Sequence, residues 1–236
     1  MSRQQLVAIN TRETSSTKQH VLGTKYEDEY GRIYRYARAG ATALDPGKLA
    51  VNADSDADGT NKTVARTYAA GATEIIVDAG GAVAADAFAD GTLTVNDATG
   101  EGVTVEVSGN TVTTGAAEMT VTLKEPIPVA LTIDVSEVTL QKSPWDAVVI
   151  SATDQADMPV GVPNVTVTAD YYCWLQTRGS CAVLWDEAVA KGLALTIGTG
   201  VAGAVEAADA AGEPVLGVAQ MAGVDTEYQP AFLSID

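Results

Sequence analysis

Three acidic residues at alternate positions, Asp54, Asp56 and Asp58, followed by Gly59, repeat the opening of a calcium-binding loop, D-x-D-x-D-G. Ca²⁺ takes several hard oxygen ligands, and carboxylates at this spacing can supply them. The rest of the loop does not follow. Its ninth position is Lys62, which repels a cation, and its twelfth, where a bidentate Glu belongs, is Ala65. No flanking helices are readable, so a solvated acidic turn is the preferred reading. No metal is expected, and Asp54, Asp56 and Asp58 stand as the one candidate ligand set. Gly198, Gly200 and Gly203 match G-x-G-x-x-G after the apolar run "LALTI". A dinucleotide fingerprint needs a βαβ unit near the start of a parallel sheet, with pyrophosphate on a helix N-terminus. These glycines instead lie near the end of a chain of short alternating segments, and Gly212 breaks the stretch that follows. Glycines at sheet turns explain them better, and no cofactor is expected.

The remaining chemistry-bearing residues do not assemble into a catalytic set. The chain has one histidine, His20, so any Ser-His-Asp or Cys-His scheme depends on it alone. A surface histidine is the preferred reading. Acidic pairs such as Glu27 and Glu29 recur, but two carboxylates act as acid and base only in opposed environments. An enzyme is not expected. Cys173 and Cys181 show C-x7-C spacing, which fits no metal motif. A hairpin turning at Arg178-Gly179 would set Cys181 opposite Gln176 and Cys173 opposite Leu184. The thiols would then not face each other, and disulfide geometry is strict. Both read as small buried apolar residues. Trp145, Trp174 and Trp185 read as core or subunit packing rather than a sugar site, with Trp174 on the face opposite Cys173 and directed outward.

The elements that would position these residues are strands. Val and Thr abound among the 236 residues, while Gly 22 and Pro 8 supply turns. This composition suits many short pleated segments. Val103, Val105 and Val107 alternate with Thr104 and Glu106, and Met119, Val121 and Leu123 alternate with polar partners, as half-buried antiparallel strands do. Leu131, Ile133 and Val135 share one parity and Val138 and Leu140 the other, so a bulge or tight bend is expected at Ser136-Glu137. Val165 to Leu175 reads as one long strand, with "SCAVLW" returning through Gly179 and at most one helical turn near Asp186–Lys191. The expected fold is all-β: an antiparallel β-barrel or sandwich with an inserted second small β domain and an extended N-terminal arm. Residues 1–19 form the arm, 20–59 and 144–236 the β-barrel core domain, and 60–143 the inserted β-sandwich domain.

Charge narrows the partners. The net charge is −17, and it is uneven. Residues 1–66 hold ten of the fourteen Lys and Arg against eight acids, whereas 67–236 hold four against twenty-three. Nucleic-acid affinity rests on Lys and Arg neutralising phosphates, so direct binding is not expected, and the same sign disfavours anionic membranes. No apolar run approaches a membrane span or a secretory signal. The expectation is synthesis in a host cytoplasm. The more basic end is the natural docking end. Within it, "RIYRYAR" places Ile33, Arg35 and Ala37 on one face of a strand and Arg32, Tyr34, Tyr36 and Arg38 on the other. Tyr and Arg are favoured at protein contacts. The candidate interface residues are therefore Arg3, Leu6, Val7, Ile9 and Arg12 of the arm, and Arg32, Tyr34, Arg35, Tyr36 and Arg38 of the strand.

Several segments resemble tailed-phage virion proteins of the capsid cement, or decoration, type. "EYGRIYRYARAGAT" is similar to that family's opening strand after a polar N-terminal stretch. "GVPNVTVTADYYCWLQTRGSCAVL" resembles its aromatic strand, and "GEPVLGVAQ" its late strand before a closing "AFLSI". The block from "GTLTVND" to "SEVTL" resembles an extra β domain of longer virion proteins. The resemblance implies a β-barrel subunit, often a homotrimer, on the outer capsid surface of the virion, with the major capsid protein as partner and no catalytic residues. It also implies capsid stabilisation once the head has expanded, with the acidic block projecting outward. The alternative is a virion spike or head-fibre module that binds host or glycan surfaces.

Overall fold

The computed structural model describes residues 9–236, and among these every regular element is a strand. No helix is long and apolar enough to cross a membrane. The chain divides into two compact units. One holds the described residues up to Ala53 together with Pro144–Asp236, and the other is Asp54–Ser143. The acidic loop at 54–59 therefore belongs to the second unit.

The first unit contributes β1 (Lys25–Glu27), β2 (Ile33–Arg38) and β3 (Ala50–Val51) before the chain leaves it. The second holds β4 (Lys62–Thr63), β5 (Glu74–Ala79), β6 (Thr92–Asp97), β7 (Thr104–Asn110), β8 (Ala117–Leu123) and β9 (Glu137–Gln141). The chain then returns with β10 (Val149–Ile150), β11 (Pro159–Pro163), β12 (Tyr172–Leu184), β13 (Ala194–Ile197), β14 (Val205–Ala207), β15 (Gly217–Ala219) and β16 (Tyr228–Ser234).

The second unit is a six-stranded antiparallel sheet in the order β4-β9-β6-β7-β8-β5. A bridge between Val64 and Val77 brings its two ends together, so it is a nearly closed barrel. Its core follows from alternation: Ile75, Val77, Leu93, Val95, Val107, Met119, Val121 and Leu140 point inward around Phe88. The expected parity change before β9 is a tight turn. Asp134 takes a left-handed φ of 56°, and the Ser136 N–H donates to Thr132 O at 2.9 Å. Ser136 is fully buried there, and its hydroxyl donates to Thr99 O at 3.1 Å.

The first unit is a ten-stranded antiparallel sheet, β10-β3-β11-β12-β16-β15-β13-β14, with β2 also paired to β12 and β1 to β2. A parallel bridge from Trp185 to Val205 turns its far strands back on themselves. The organising element is β12, which runs unbroken for 13 residues. Gly179 is therefore not a hairpin turn, contrary to the sequence expectation. From Tyr172 to Arg178, β12 pairs with β2, and from Arg178 to Leu184 with β16. The register against β2 slips between Gln176 and Arg178, which marks a bulge. Gly179 has φ 91°, and a Cβ there would lie 2.9 Å from Arg32 Cγ. The glycine serves a close strand approach, not a chain reversal. Because the strand does not reverse, Cys173 pairs with Ala37 and Cys181 with Ala231, in separate parts of the core. Both are free and buried.

One further correction follows from packing. Trp174 is not outward but 4% exposed. The segment after Trp185, where at most one helical turn was expected, forms none. It is held by an Asp186 N–H bond to Val205 O at 2.9 Å and a Gly192 N–H bond to Ala219 O at 2.9 Å, which leave it irregular.

Candidate docking surface

The strand β2 lies between β1 and β12, and the two faces it presents are both covered. Its Ala37 face joins the apolar cluster of Leu44, Val148, Val167, Cys173 and Leu175. On the other face, Tyr34 and Tyr36 form an aromatic cluster with Trp174. The Tyr36 ring stacks on Tyr172 at 5.7 Å and meets Trp174 edge-on at 5.2 Å. Such pairs add about 0.5–1.5 kcal/mol beyond area burial.

The lid over this cluster is the segment from Ile9 to Thr24. Ser15 and Tyr172 exchange two backbone hydrogen bonds, at 3.0 and 2.8 Å. The Gly23 N–H donates to Tyr36 O at 2.8 Å, and the Gln19 N–H donates to the Tyr36 hydroxyl at 2.9 Å. Ile9 and Leu22 pack against the rings. The described part of the expected arm is thus bound to its own sheet and does not wait for a partner to order it. Tyr34 and Tyr36, at 1% and 3% exposure, are core residues of this chain and not contacts for a neighbour. Burial raises the pKa of both phenols. Arg3, Leu6 and Val7 lie outside the described residues.

The arginines of β2 and its approach are each paired within the unit. Arg32 Nε donates to Asp28 at 2.7 Å, Arg38 Nε to Asp146 at 2.6 Å, and Arg35 grips Asp236 with two bonds of 2.6 and 2.9 Å. Arg35 also lies over the Trp145 ring at 5.3 Å. Burial pulls the Asp28 carboxyl up, but hydrogen bonds from Arg32 and the Tyr30 N–H outweigh it, and its pKa is lowered. The Arg35 hydrogen bond is the leading cause of the lowered Asp236 pKa. These pairs fasten β2 and the last residue of the chain to the sheet. Of the candidate contact residues that the structure describes, Arg12 has a side chain that is both exposed and free of an ion pair.

Exposed apolar residues instead gather on the outer face of β12, β16 and β15. Phe232 is 44% exposed, Val218 43% and Tyr228 50%, while Tyr30 on the β1–β2 turn reaches 77%. In the pairing register Phe232 stands between Ser180 and Val218, and Tyr228 stands opposite Leu184. Tyr30, Gly31, Arg32, Gly179, Ser180 and Phe232 line a depression of about 500 Å³ on this face. This surface was missed from sequence, although a signal existed. In "YQPAFLS" the buried Ala231 and Leu233 alternate with Tyr228, Pro230 and Phe232, so β16 is apolar on both parities. A strand with only one covered face leaves the other polar.

The motifs with possible chemistry hold their own partners. Asp56 pairs with Lys142 at 2.8 Å and accepts the Asp58 N–H at 3.0 Å. Asp54 is exposed, and no group of three or more His, Cys, Asp or Glu side chains fit to hold a metal occurs among the described residues. Gly198, Gly200 and Gly203 lie on the turn between β13 and β14, an antiparallel pair. The Gly200 N–H there donates to Asp186, and the Thr199 N–H to Glu206 at 2.9 Å. Carboxylates already occupy the donors that a phosphate would need, and they would repel it. His20 is exposed, its ring 5.0 Å from Tyr36 and 5.3 Å from Trp174.

The fold and this surface define an all-β protein of two units with an apolar outer sheet face on the first. No protein-family model, curated protein or solved structure matches the chain.

Proposed function

We propose that this chain is a capsid cement protein of a tailed phage, which binds the major capsid protein on the outside of the expanded head and associates with copies of itself, as a homotrimer. The observation that carries the reading is the outer face of β15 and β16, where Phe232, Val218 and Tyr228 stand exposed together. Clustered exposed apolar side chains mark protein contact surfaces. The resemblance of β2, β12 and β15 to cement-protein strands gives that contact a partner. A protein that binds the expanded lattice and not its precursor stabilises the expanded state by mass action. Copies linked as oligomers add avidity without new contacts. The reading uses no catalytic residue, cofactor, nucleic acid or membrane, and it places the protein on the virion.

The test is co-sedimentation with purified phage heads. The wild type is expected to pellet with expanded heads and not with unexpanded ones. Phe232→Asp combined with Val218→Asp is expected to weaken binding tenfold or more, as loss of a central apolar anchor does, with an unchanged melting temperature. A wild type that stays in the supernatant with every head tested would contradict the reading. Glycan binding by the whole protein that the double variant leaves intact would favour the host-binding alternative.

A further inference from the structure

Beside the apolar face lies a hollow of about 610 Å³ whose lining includes Arg12, Arg32, Asn164, Ser180 and Tyr228. Ligand pockets of small molecules span about 300–1,000 Å³. Four chain segments distant in sequence build it. Arg12 comes from the segment over the aromatic cluster, Arg32 from the start of β2, Asn164 from the end of β11, and Tyr228 from the start of β16. One wall exists because residue 47 is glycine. Gly47 has φ 76°, and a Cβ there would lie 2.7 Å from Tyr228 Cδ1, so the ring packs directly on backbone.

The groups that open onto the hollow are mainly donors. Among the described residues, the Arg12 guanidinium has no hydrogen-bond partner, and Arg32, which lies over the Tyr30 and Tyr34 rings at 5.6 and 5.9 Å, bonds Asp28 through Nε and keeps its Nη nitrogens for another acceptor. The Tyr228 hydroxyl also has none. Asn164 is oriented from behind: its Oδ1 accepts the Cys181 thiol at 3.7 Å, and its amide donates to Gln176 Oε1 at 3.1 Å, leaving a second N–H. Gln176 is 1% exposed, and its own amide is held by Arg178 O and Ser180 O at 3.0 and 2.9 Å. The one acid on the lining, Asp45, is occupied by Lys48 at 2.8 Å. In a chain of net charge −17, two guanidiniums with unused donors beside a phenol and an amide form a local anion receptor.

From this geometry we infer that the hollow between Arg12 and Tyr228 is a binding site for a carboxylate-bearing ligand, with Arg12 and Arg32 holding the carboxylate and Asn164 and Tyr228 the neighbouring hydroxyl or carbonyl groups. The hollow shares Tyr228, Arg32 and Ser180 with the docking face, but the two readings fail separately, because binding of a free small molecule is measured without phage heads. The carboxylate has two sources, a uronic acid or an acidic side chain, and their shared chemistry is what the site selects.

The test titrates the whole protein with sodium glucuronate, with methyl glucoside as the neutral counterpart, and with a capped Glu dipeptide, reading the ¹⁵N–¹H signals of arginine side chains. Glucuronate or the dipeptide is expected to shift two arginine Nε signals with Kd on the order of 1 mM, and methyl glucoside is expected to shift neither. The tighter of the two acids identifies the source. Arg12→Gln, at an exposed position, is expected to keep the melting temperature and weaken binding about tenfold or more. Tyr228→Phe should weaken it about threefold and give an independent reading of the same pocket. Equal binding of glucuronate and methyl glucoside, no binding of either acid at 50-fold that concentration (about 50 mM), or full affinity in Arg12→Gln would overturn the assignment.

Discussion

A thiol reagent added to the folded protein at pH 8 should find almost nothing to react with. Burial pushes both cysteine thiols up, from an ordinary 9.0 to about 12. Raising a pKa by this much lowers the thiolate fraction at pH 8 by roughly a thousandfold, and the thiolate is the reactive species. Opening of β12 is then the route to reaction, and β12 lies in the middle of its sheet. Modification of the native protein should therefore run at least about a hundredfold slower than modification in urea, as followed by absorbance of the released leaving group. The same strand sets a second expectation. Cys173 and Cys181 are eight residues apart on one strand, which separates them by up to about 26 Å at about 3.3 Å per residue, less what the bulge between Gln176 and Arg178 takes up. A disulfide tolerates Cα atoms no more than about 7 Å apart. An oxidant should produce no intramolecular crosslink in the native protein, by mass spectrometry. Native thiols that react as fast as unfolded ones, or a rapid native crosslink, would refute the burial of the two cysteines and the unbroken path of β12.

Further expectations can be read with simple variants. Gly179→Val places a branched side chain at φ 91° against the Arg32 backbone and should cost about 2 kcal/mol or more in urea unfolding; a neutral result would remove the close-approach argument. Leu93→Ala opens a fully buried site in the second barrel and should cost about 2–5 kcal/mol in the same measurement. Tyr36→Phe removes the acceptor for the Gln19 N–H. It should cost about 1 kcal/mol and speed proteolysis between Ile9 and Thr24; an unchanged cleavage rate would argue against the lid. The lowered pKa values of Asp28, Asp56 and Asp236 make their stabilisation complete above the ordinary carboxylate value of 3.8. It is lost as pH falls through their folded values, so the urea midpoint should drop below about pH 4. Arg35→Gln should shrink that drop, and a midpoint that is flat from pH 6 to pH 3 would contradict the pairs.

The strands with one covered face were legible. Val105 and Val107, or Met119, Val121 and Leu123, alternate with exposed neighbours because nothing lies on their outer side. The all-β class follows from them. What escaped was what distant segments cover. Tyr34 and Tyr36 read as a contact face because alternation in β2 cannot show that residues 9–24 return across it. Gly179 read as a turn because a left-handed glycine serves a reversal and a close approach equally well. Trp174 was placed outward from strand parity, yet both sides of β12 are covered at that point. The hollow at Arg12 had no local signal, since its four contributing segments meet only through the sheet order β11-β12-β16 with β2 beside it. The double-sided apolar pattern of β16 is the clue to this surface that the sequence carries.

Electron cryo-microscopy of expanded phage heads mixed with the purified protein tests the central claim most directly. Added density is expected at the three-fold positions, into which the ten-stranded unit fits with β15 and β16 turned toward the capsid or toward a second copy of the chain. Undecorated heads, or bound protein with Phe232 and Val218 facing open solvent, would contradict it.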